Sequence, residues 1–229
     1  METDDRQPEI PDRIRRAVLP DLRPVRPLRG PWTRAAALIP AAAILLVGIP
    51  WVLGLRADVV VLGPVLSFGT SALQLLAGIA LIGLALRESV PGTALSPRVV
   101  WSSLAAGIAL VITVTVSTFL VSPTSPAAEL RARFFRYCFG YSTLAGVPLV
   151  LLAGFLAARA LPLRPWVAGA LYGLGAGLMS DAGWRLFCDV STPGHVIEAH
   201  GGAILVLTVF GTLGAEVTER VRWWVEGRR

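Results

Sequence analysis

Apolar residues along the chain fall into long runs, and short clusters of polar residues separate these runs. Each of six runs approaches the roughly 20 residues that a helix needs to cross the hydrocarbon core of a bilayer. The six runs are Ala35–Leu55, the part of Val59–Leu86 from about Leu66, Val99–Val121, Tyr137–Ala158, Trp166–Gly183 and Val196–Ala215. The pattern predicts an all-α polytopic membrane protein with six transmembrane helices.

Composition favours the same class of protein. Hydrophobic residues make up 54% of the 229 residues and charged residues only 16%, which is too little charge to cover a soluble domain of this length. The net charge of +6 does not indicate nucleic-acid binding, because the arginines flank the apolar runs, where they contact anionic headgroups. We expect membrane lipids, and no nucleic acid, among the partners.

The arginine distribution predicts the orientation of the six spans. An even number of spans places both termini on one side, and sixteen of the 21 arginines fall on that side. Because cytoplasmic segments carry the excess of basic residues, we expect both termini in the cytoplasm. The predicted organisation is a cytoplasmic tail (residues 1–34), a membrane domain (residues 35–216) and a second cytoplasmic tail (residues 217–229).

Most of the candidate chemistry lies in one segment, GWRLFCDVSTPGHVIEAHGG, residues 183–202. This segment joins the fifth and sixth predicted spans and contains Cys188, His195 and His200. Cys138 opens the fourth predicted span at the same extracytoplasmic face. The span order therefore predicts that both cysteines and both histidines share one membrane face.

These four side chains could supply the four ligands that zinc prefers, but their spacing is a poor match. On an α-helix, His195 and His200 would point about 140° apart at about 100° per residue. The string HVIEAH also lacks the His-x-x-Glu-His pattern of one zinc-protease class, because Ala199 stands where the second histidine belongs. We therefore assign no metal ligands and expect no cofactor.

Two interpretations of the cysteines stay open on residues alone. At an oxidising face they could form a disulfide or react with thiophilic stressors, and so act as a sensor. They could equally be small buried apolar side chains at helix ends. The histidines could satisfy polar groups at helix ends. No nucleophile–base set or phosphate-binding loop occurs in the sequence, so we do not expect an enzyme.

The fifth predicted span carries Gly169, Gly173 and Gly177 at four-residue spacing. Such a stripe of small residues lets two helix backbones approach closely in lipid. The stripe predicts close packing, either within the bundle or across the interface of a homodimer.

The residue pattern in the N-terminal tail predicts a short amphipathic helix that begins near Pro11 and ends before Pro20. Ile10, Ile14, Ala17 and Val18 form its apolar stripe, with arginines outside it. About nine residues are too few for a stable isolated helix. We expect this segment either to fold against an apolar groove on a partner or to lie on the membrane surface.

The order of several motifs resembles the NrsF-like family, the negative regulators of sigma F. These motifs are DLRPVRPLRGPWTR before the first span, the cysteine of FFRYCFG, the run ALPLRPWVAGALYGLGAG and the outer-loop cysteine of FCDVSTP. The resemblance implies a six-span anti-sigma factor of the bacterial inner membrane. Its cytoplasmic tail would hold an extracytoplasmic-function sigma factor.

The resemblance also implies roles for individual residues. The sigma-docking segment would comprise Asp21, Leu22, Arg23, Pro24, Val25 and Arg26, next to the apolar positions Ile14 and Val18. Cys138 and Cys188 would sense an oxidant, a metal or a light-derived stress, and His195 and His200 would refine the signal. The alternative function is a small metal or solute transporter or channel subunit, with the Cys and His residues at its outer entrance.

Overall fold

The computed structural model describes residues 11–18, 27–122, 135–226 and 228. Within these residues the chain is helical and forms no β-strand. The predicted docking segment, residues 21–26, lies outside the described residues, as does most of the loop between the third and fourth predicted spans.

The described residues contain one short helix followed by six longer ones. They are α1 (Asp12–Val18), α2 (Pro31–Leu53), α3 (Val59–Glu88), α4 (Pro97–Val121), α5 (Phe135–Ala158), α6 (Pro165–Trp184) and α7 (Pro193–Val225). Proline begins α2, α4, α6 and α7, where its missing N–H costs no helical hydrogen bond. Helix α1 confirms the short helix predicted in the tail. All longer helices except α6 are long and apolar enough to cross a membrane, which indicates a helical membrane protein.

Helix α6 differs from its neighbours in being glycine-rich and buried along its length. It packs against α3, α5, α7 and α4, so that it occupies the centre of the bundle. Arg164 precedes the first turn of α6 and contacts the C-terminal end of α3. Arg185 follows the last turn of α6 and contacts α4 near the C-terminal end of α4. Helix α6 thus runs between the same two ends of the bundle as the other long helices. A sixth span stays a prediction, which this placement favours.

Two of the predicted spans are irregular at glycine and proline. The second span was expected to start near Leu66, but α3 begins at Val59 and bends at Gly63, which has a φ of 69°. Only glycine adopts this conformation without strain, and Pro64 follows it directly. In α2 a π-helical turn at Ile44–Gly48 precedes Pro50, which lacks the N–H for a regular helical bond.

The glycine stripe packs against another helix of the same chain. A Cβ atom on Gly169 would meet the backbone of Gly211 at 2.5 Å, and one on Gly173 would meet the carbonyl of Leu207 at 2.6 Å. A Cβ atom on Gly177 would meet the Cα atom of Ile204 at 3.0 Å. The prediction of close helix packing is confirmed in its within-bundle alternative, because the stripe faces α7 of the same chain.

Buried polar contacts tie the helices together at the end of the bundle where α2 begins, which we call the tail end. The Arg34 guanidinium donates to the carbonyl oxygens of Leu86 at 2.8 Å and Leu156 at 3.0 Å. Both carbonyls lie in the last turns of their helices, α3 and α5, where no intrahelical donor reaches them. A single buried arginine therefore caps two helices, and the tail leaves the bundle at this residue.

A second buried pair reinforces the tail end. Glu88 accepts two hydrogen bonds from Arg164, at 2.8 and 2.9 Å, and one from the backbone N–H of Leu95 at 2.6 Å. These bonds join the end of α3 to the start of α4 and to the start of α6. Because the Glu88 side chain is almost fully buried, the pair fixes the relative positions of three helices.

Candidate functional site

The two cysteines and two histidines meet at the opposite end of the bundle, which we call the cysteine end. Cys138 lies in the first turn of α5, and Cys188 lies in the loop between α6 and α7. His195 and His200 lie in the first turns of α7. One ligand atom from each side chain lies within 4.8 Å of the other three. We call these four residues the Cys–His cluster.

The distances within the Cys–His cluster are short. The Sγ atoms of Cys138 and Cys188 are 3.9 Å apart, and both thiols are free. Cys188 Sγ lies 3.5 Å from His195 Nε2. The rings of His195 and His200 meet edge to face, with their centroids 5.6 Å apart. The prediction that these four residues share one face agrees with this arrangement.

A π-helical turn brings the two histidines together. Residues Val196–Gly201 form this turn, in which the hydrogen bonds join residues five apart rather than four. His195 and His200 are five residues apart, so the wider turn places one above the other. The expected separation of about 140° was wrong because it assumed a regular α-helix. The spacing argument against a metal site therefore does not hold.

A second group of polar residues lies directly beneath the cluster and is centred on Asp181 of α6, which is fully buried. Its Oδ1 atom lies 2.6 Å from His200 Nδ1. Its Oδ2 atom accepts from Gln74 Nε2 and from Arg185 Nε, both at 2.7 Å. Arg185 also donates to Thr115 Oγ1 at 3.0 Å. We call these five residues the Asp181 network.

The Asp181 network connects the cluster to the centre of the bundle. Gln74 belongs to α3, Thr115 to α4 and His200 to α7, so the network joins side chains from four helices, with Thr115 reached through Arg185. Asp181 and Arg185 form an ion pair in which both side chains are less than a tenth exposed. Removing one partner of such a pair leaves a buried charge without compensation, which is strongly destabilising.

Sequence reasoning assigned no role to Asp181 or Arg185, and it missed Gln74 and Thr115. The signal for Gln74 was present: it is a long polar side chain inside an apolar run of α3. A polar side chain within a span is expected to face the bundle interior and to find a partner there. Its partner could not be read from the sequence, because Asp181 lies 107 residues away.

The loop that carries Cys188 is held in place by a buried arginine. Arg56 donates to Asp58 Oδ1 at 2.5 Å, to the carbonyl of Arg185 at 3.2 Å and to Ser191 Oγ at 3.0 Å. Burial by itself raises the pKa of Asp58, but hydrogen bonds from Arg56 and Ser122 hold that pKa below its usual value. The link between α2 and α3 thus anchors the cysteine loop.

A cavity of about 500 Å³ opens beside the two thiols. Four aromatic side chains line it: Tyr141 lies between Tyr137 and Trp184, with ring centroids 6.0 Å from each, and the ring of Phe187 lies 5.5 Å from that of Trp184. Cys138 is partly exposed to the cavity, whereas Cys188 is buried. Contact with the Cys138 thiol, together with burial, raises the pKa of the Cys188 thiol. Cys138, Cys188 and His195 all line this cavity, so it borders the Cys–His cluster directly.

Of the predicted docking residues, only two lie in the described part of the chain. Ile14 is about half exposed in the middle of α1, and Val18 ends that helix. Asp21, Leu22, Arg23, Pro24, Val25 and Arg26 lie outside the described residues.

The fold and the site together define a helical membrane protein. The Cys–His cluster lies at one end of its bundle, and Arg34 joins the end of the N-terminal tail to α3 and α5 at the other. A model of the NrsF family, described as negative regulator of sigma F, matches residues 20–223. The chain therefore belongs to the NrsF family of negative regulators of sigma F, which confirms the resemblance seen in its motifs. No curated protein and no solved structure matched the chain. Family membership indicates a negative regulator with a sigma factor as its partner.

Proposed function

We propose that this protein is an anti-sigma factor of the bacterial inner membrane. Its N-terminal tail, residues 1–34, sequesters an extracytoplasmic-function sigma factor and releases it when a stimulus reaches the Cys–His cluster. The observation that carries the proposal is the connection between the two ends of the bundle. Helices α3 and α5 contribute side chains to the Asp181 network and the Cys–His cluster at one end of the bundle. At the other end, the same two helices accept the hydrogen bonds of Arg34, the last residue of the tail.

The arginine distribution supports the orientation that this function requires. Most arginines flank the tail end of the bundle, and basic residues accumulate on the cytoplasmic side of membrane proteins. With six spans, the tail and the C-terminus both face the cytoplasm, where the sigma factor is. The Cys–His cluster then faces the extracytoplasmic side and is accessible to external oxidants or metals.

The tail has the properties of a segment that binds by folding against a partner. Helix α1 has only seven residues, too few for stability in isolation, and Ile14 presents an apolar side chain to solvent. Ile14 and Val18 would enter an apolar groove on the sigma factor. The segment 21–26 follows and would add charged and extended contacts, in agreement with the family resemblance.

Transmission from the cluster to the tail would use helices α3 and α5. Helix α5 carries Cys138 near one end and the Leu156 carbonyl at the other. Helix α3 carries Gln74 in the Asp181 network and the Leu86 carbonyl at its tail end. A movement of α5 relative to α3 therefore changes the distance between the two carbonyls that Arg34 bridges.

The energy required limits the kind of stimulus. Moving a two-state equilibrium from 1:99 to 99:1 takes about 5.5 kcal/mol of differential binding. A new disulfide between the thiols contributes about 2–4 kcal/mol, and a tightly bound metal ion contributes more. A metal ion at the Cys–His cluster therefore supplies the full shift, and a disulfide between the thiols supplies part of it.

Replacing both cysteines tests the sensing step. In the Cys138→Ser, Cys188→Ser variant, we expect a sigma-dependent reporter to stay near its uninduced level when cells meet a thiol oxidant or a zinc salt. The physical reason is that serine hydroxyls neither form a disulfide nor bind a thiophilic ion well. Glu198→Gln is the matched control because Glu198 is exposed in the same π-helical turn. Normal induction in the double variant would exclude cysteine sensing.

A further inference from the structure

One ligand atom from each of the four side chains of the Cys–His cluster lies within 4.8 Å of the other three. Zinc binds cysteine sulfur at about 2.3 Å and histidine nitrogen at about 2.0–2.1 Å, so a tetrahedral site separates two sulfurs by about 3.8 Å and a sulfur from a nitrogen by about 3.6 Å. The Cys138 and Cys188 sulfurs are 3.9 Å apart. Cys188 Sγ and His195 Nε2 are 3.5 Å apart. Both distances are close to those of a tetrahedral site, and the 4.8 Å bound on all six pairs leaves only small adjustments of the side chains to complete it.

His200 supplies a second, independent observation. Its Nε2 atom is buried and has no hydrogen-bond partner, and this nitrogen is the ligand atom left free for the cluster. A buried polar atom without a partner is unfavourable, and a bound ligand would remove this cost. The other ring nitrogen, Nδ1, faces Asp181 at 2.6 Å. A carboxylate in this position orients a histidine toward a metal ion and strengthens its binding.

Charge balance selects the class of ion. Two thiolates and two neutral imidazoles carry a charge of −2, and the Asp181–Arg185 pair beneath them is neutral. A divalent ion makes the buried site neutral overall, whereas a monovalent ion leaves one uncompensated negative charge in a poorly solvated position. A site with two sulfur and two nitrogen ligands in a tetrahedron is typical of zinc.

We propose that Cys138, Cys188, His195 and His200 form a four-coordinate site for one Zn²⁺ ion, with Asp181 as the residue that positions His200. On binding, each thiol loses its proton to solvent and each sulfur donates an electron pair to the ion, with no change of oxidation state. The ion enters through the cavity of about 500 Å³ beside the thiols. Its role as the stimulus rests on the proposed anti-sigma function, but binding itself does not.

Cobalt substitution in the reduced, full-length protein tests the site directly. Co²⁺ replaces Zn²⁺ in such sites and gives visible d–d bands of tetrahedral intensity together with thiolate-to-cobalt charge-transfer bands. We expect one equivalent of Co²⁺ to give both sets of bands, and one equivalent of Zn²⁺ to abolish them. Absence of the charge-transfer bands in the purified, folded protein would overturn the proposal.

Variants separate the four-ligand site from a site made by the cysteines alone. We expect His195→Gln and Cys138→Ser to lose the tetrahedral spectrum, and Asp181→Asn to weaken zinc binding by about 10–100-fold. Glu198→Gln should bind as the parent protein does. Binding that requires the cysteines but is unchanged in both His195→Gln and His200→Gln would contradict the proposal. Because the assay needs no sigma factor, its failure is distinguishable from failure of the proposed function.

Discussion

Replacing Arg34 with alanine is expected to release the sigma factor without any stimulus. The Arg34 guanidinium is buried and donates to the terminal carbonyls of α3 and α5. A hydrogen bond to a charged group contributes about 1.5–3 kcal/mol, so losing two of them removes about 3–6 kcal/mol. This is comparable with the roughly 5.5 kcal/mol that separates a mostly bound from a mostly free population. The substitution should therefore mimic the effect of the stimulus.

The measurement is a sigma-dependent reporter in unstressed cells, with the amount of the variant in the membrane determined by immunoblot. Arg29→Ala is the matched control, because Arg29 is exposed five residues earlier in the same segment. Arg34→Lys should give an intermediate reporter level, since a lysine keeps the charge but cannot bridge two carbonyls as a planar guanidinium does. If Arg34→Ala accumulates normally and its reporter level equals that of Arg29→Ala, the hydrogen bonds from Arg34 to α3 and α5 have no role in holding the sigma factor.

Asp181→Asn is expected to give the largest loss of stability in the bundle. The substitution leaves Arg185 buried without its counter-charge, and breaking a buried pair in this way costs about 3–5 kcal/mol. Removing the charge also weakens the interaction with His200, the residue that joins α7 to the network. We expect a lowered unfolding temperature in detergent, together with a reporter that no longer responds to the stimulus.

A double-mutant cycle checks whether this effect comes from the ion pair. Asp181→Asn combined with Arg185→Gln should be less destabilised than the sum of the two single variants, because no unpaired charge remains. Intrinsic tryptophan fluorescence follows unfolding, since Trp184 lies at the end of the same helix. Additive effects, or an Asp181→Asn variant as stable as Glu198→Gln, would show that the buried pair does not hold the bundle together.

Sequence patterns predicted the parts of this fold that depend on local hydropathy. The apolar runs located the long helices, and the order of the spans placed Cys138 and Cys188 on one face although 50 residues separate them. The glycine stripe predicted a close helix contact. Hydropathy does not show which helices are neighbours, so it could not identify α7 of the same chain as the helix that the stripe contacts.

The remaining features depend on backbone irregularity or on long-range pairing. The meeting of His195 and His200 requires a π-helical turn, which a regular helical repeat cannot anticipate. Gln74 finds Asp181, and Arg34 finds the ends of α3 and α5, across separations of 52 residues or more. Predicting each contact would require the rotation of every helix about its own axis, which the sequence does not give. These contacts are the ones that join the Cys–His cluster to the tail.

The central claim is that the N-terminal tail holds a sigma factor. The most direct measurement is copurification from detergent-solubilised membranes, with the full-length protein and a form lacking residues 1–30 as baits and partners identified by mass spectrometry. The account predicts a sigma factor with the full-length bait only, while both baits are recovered equally from the membrane. Recovery of no sigma factor with either bait, or equal recovery with both, would contradict it.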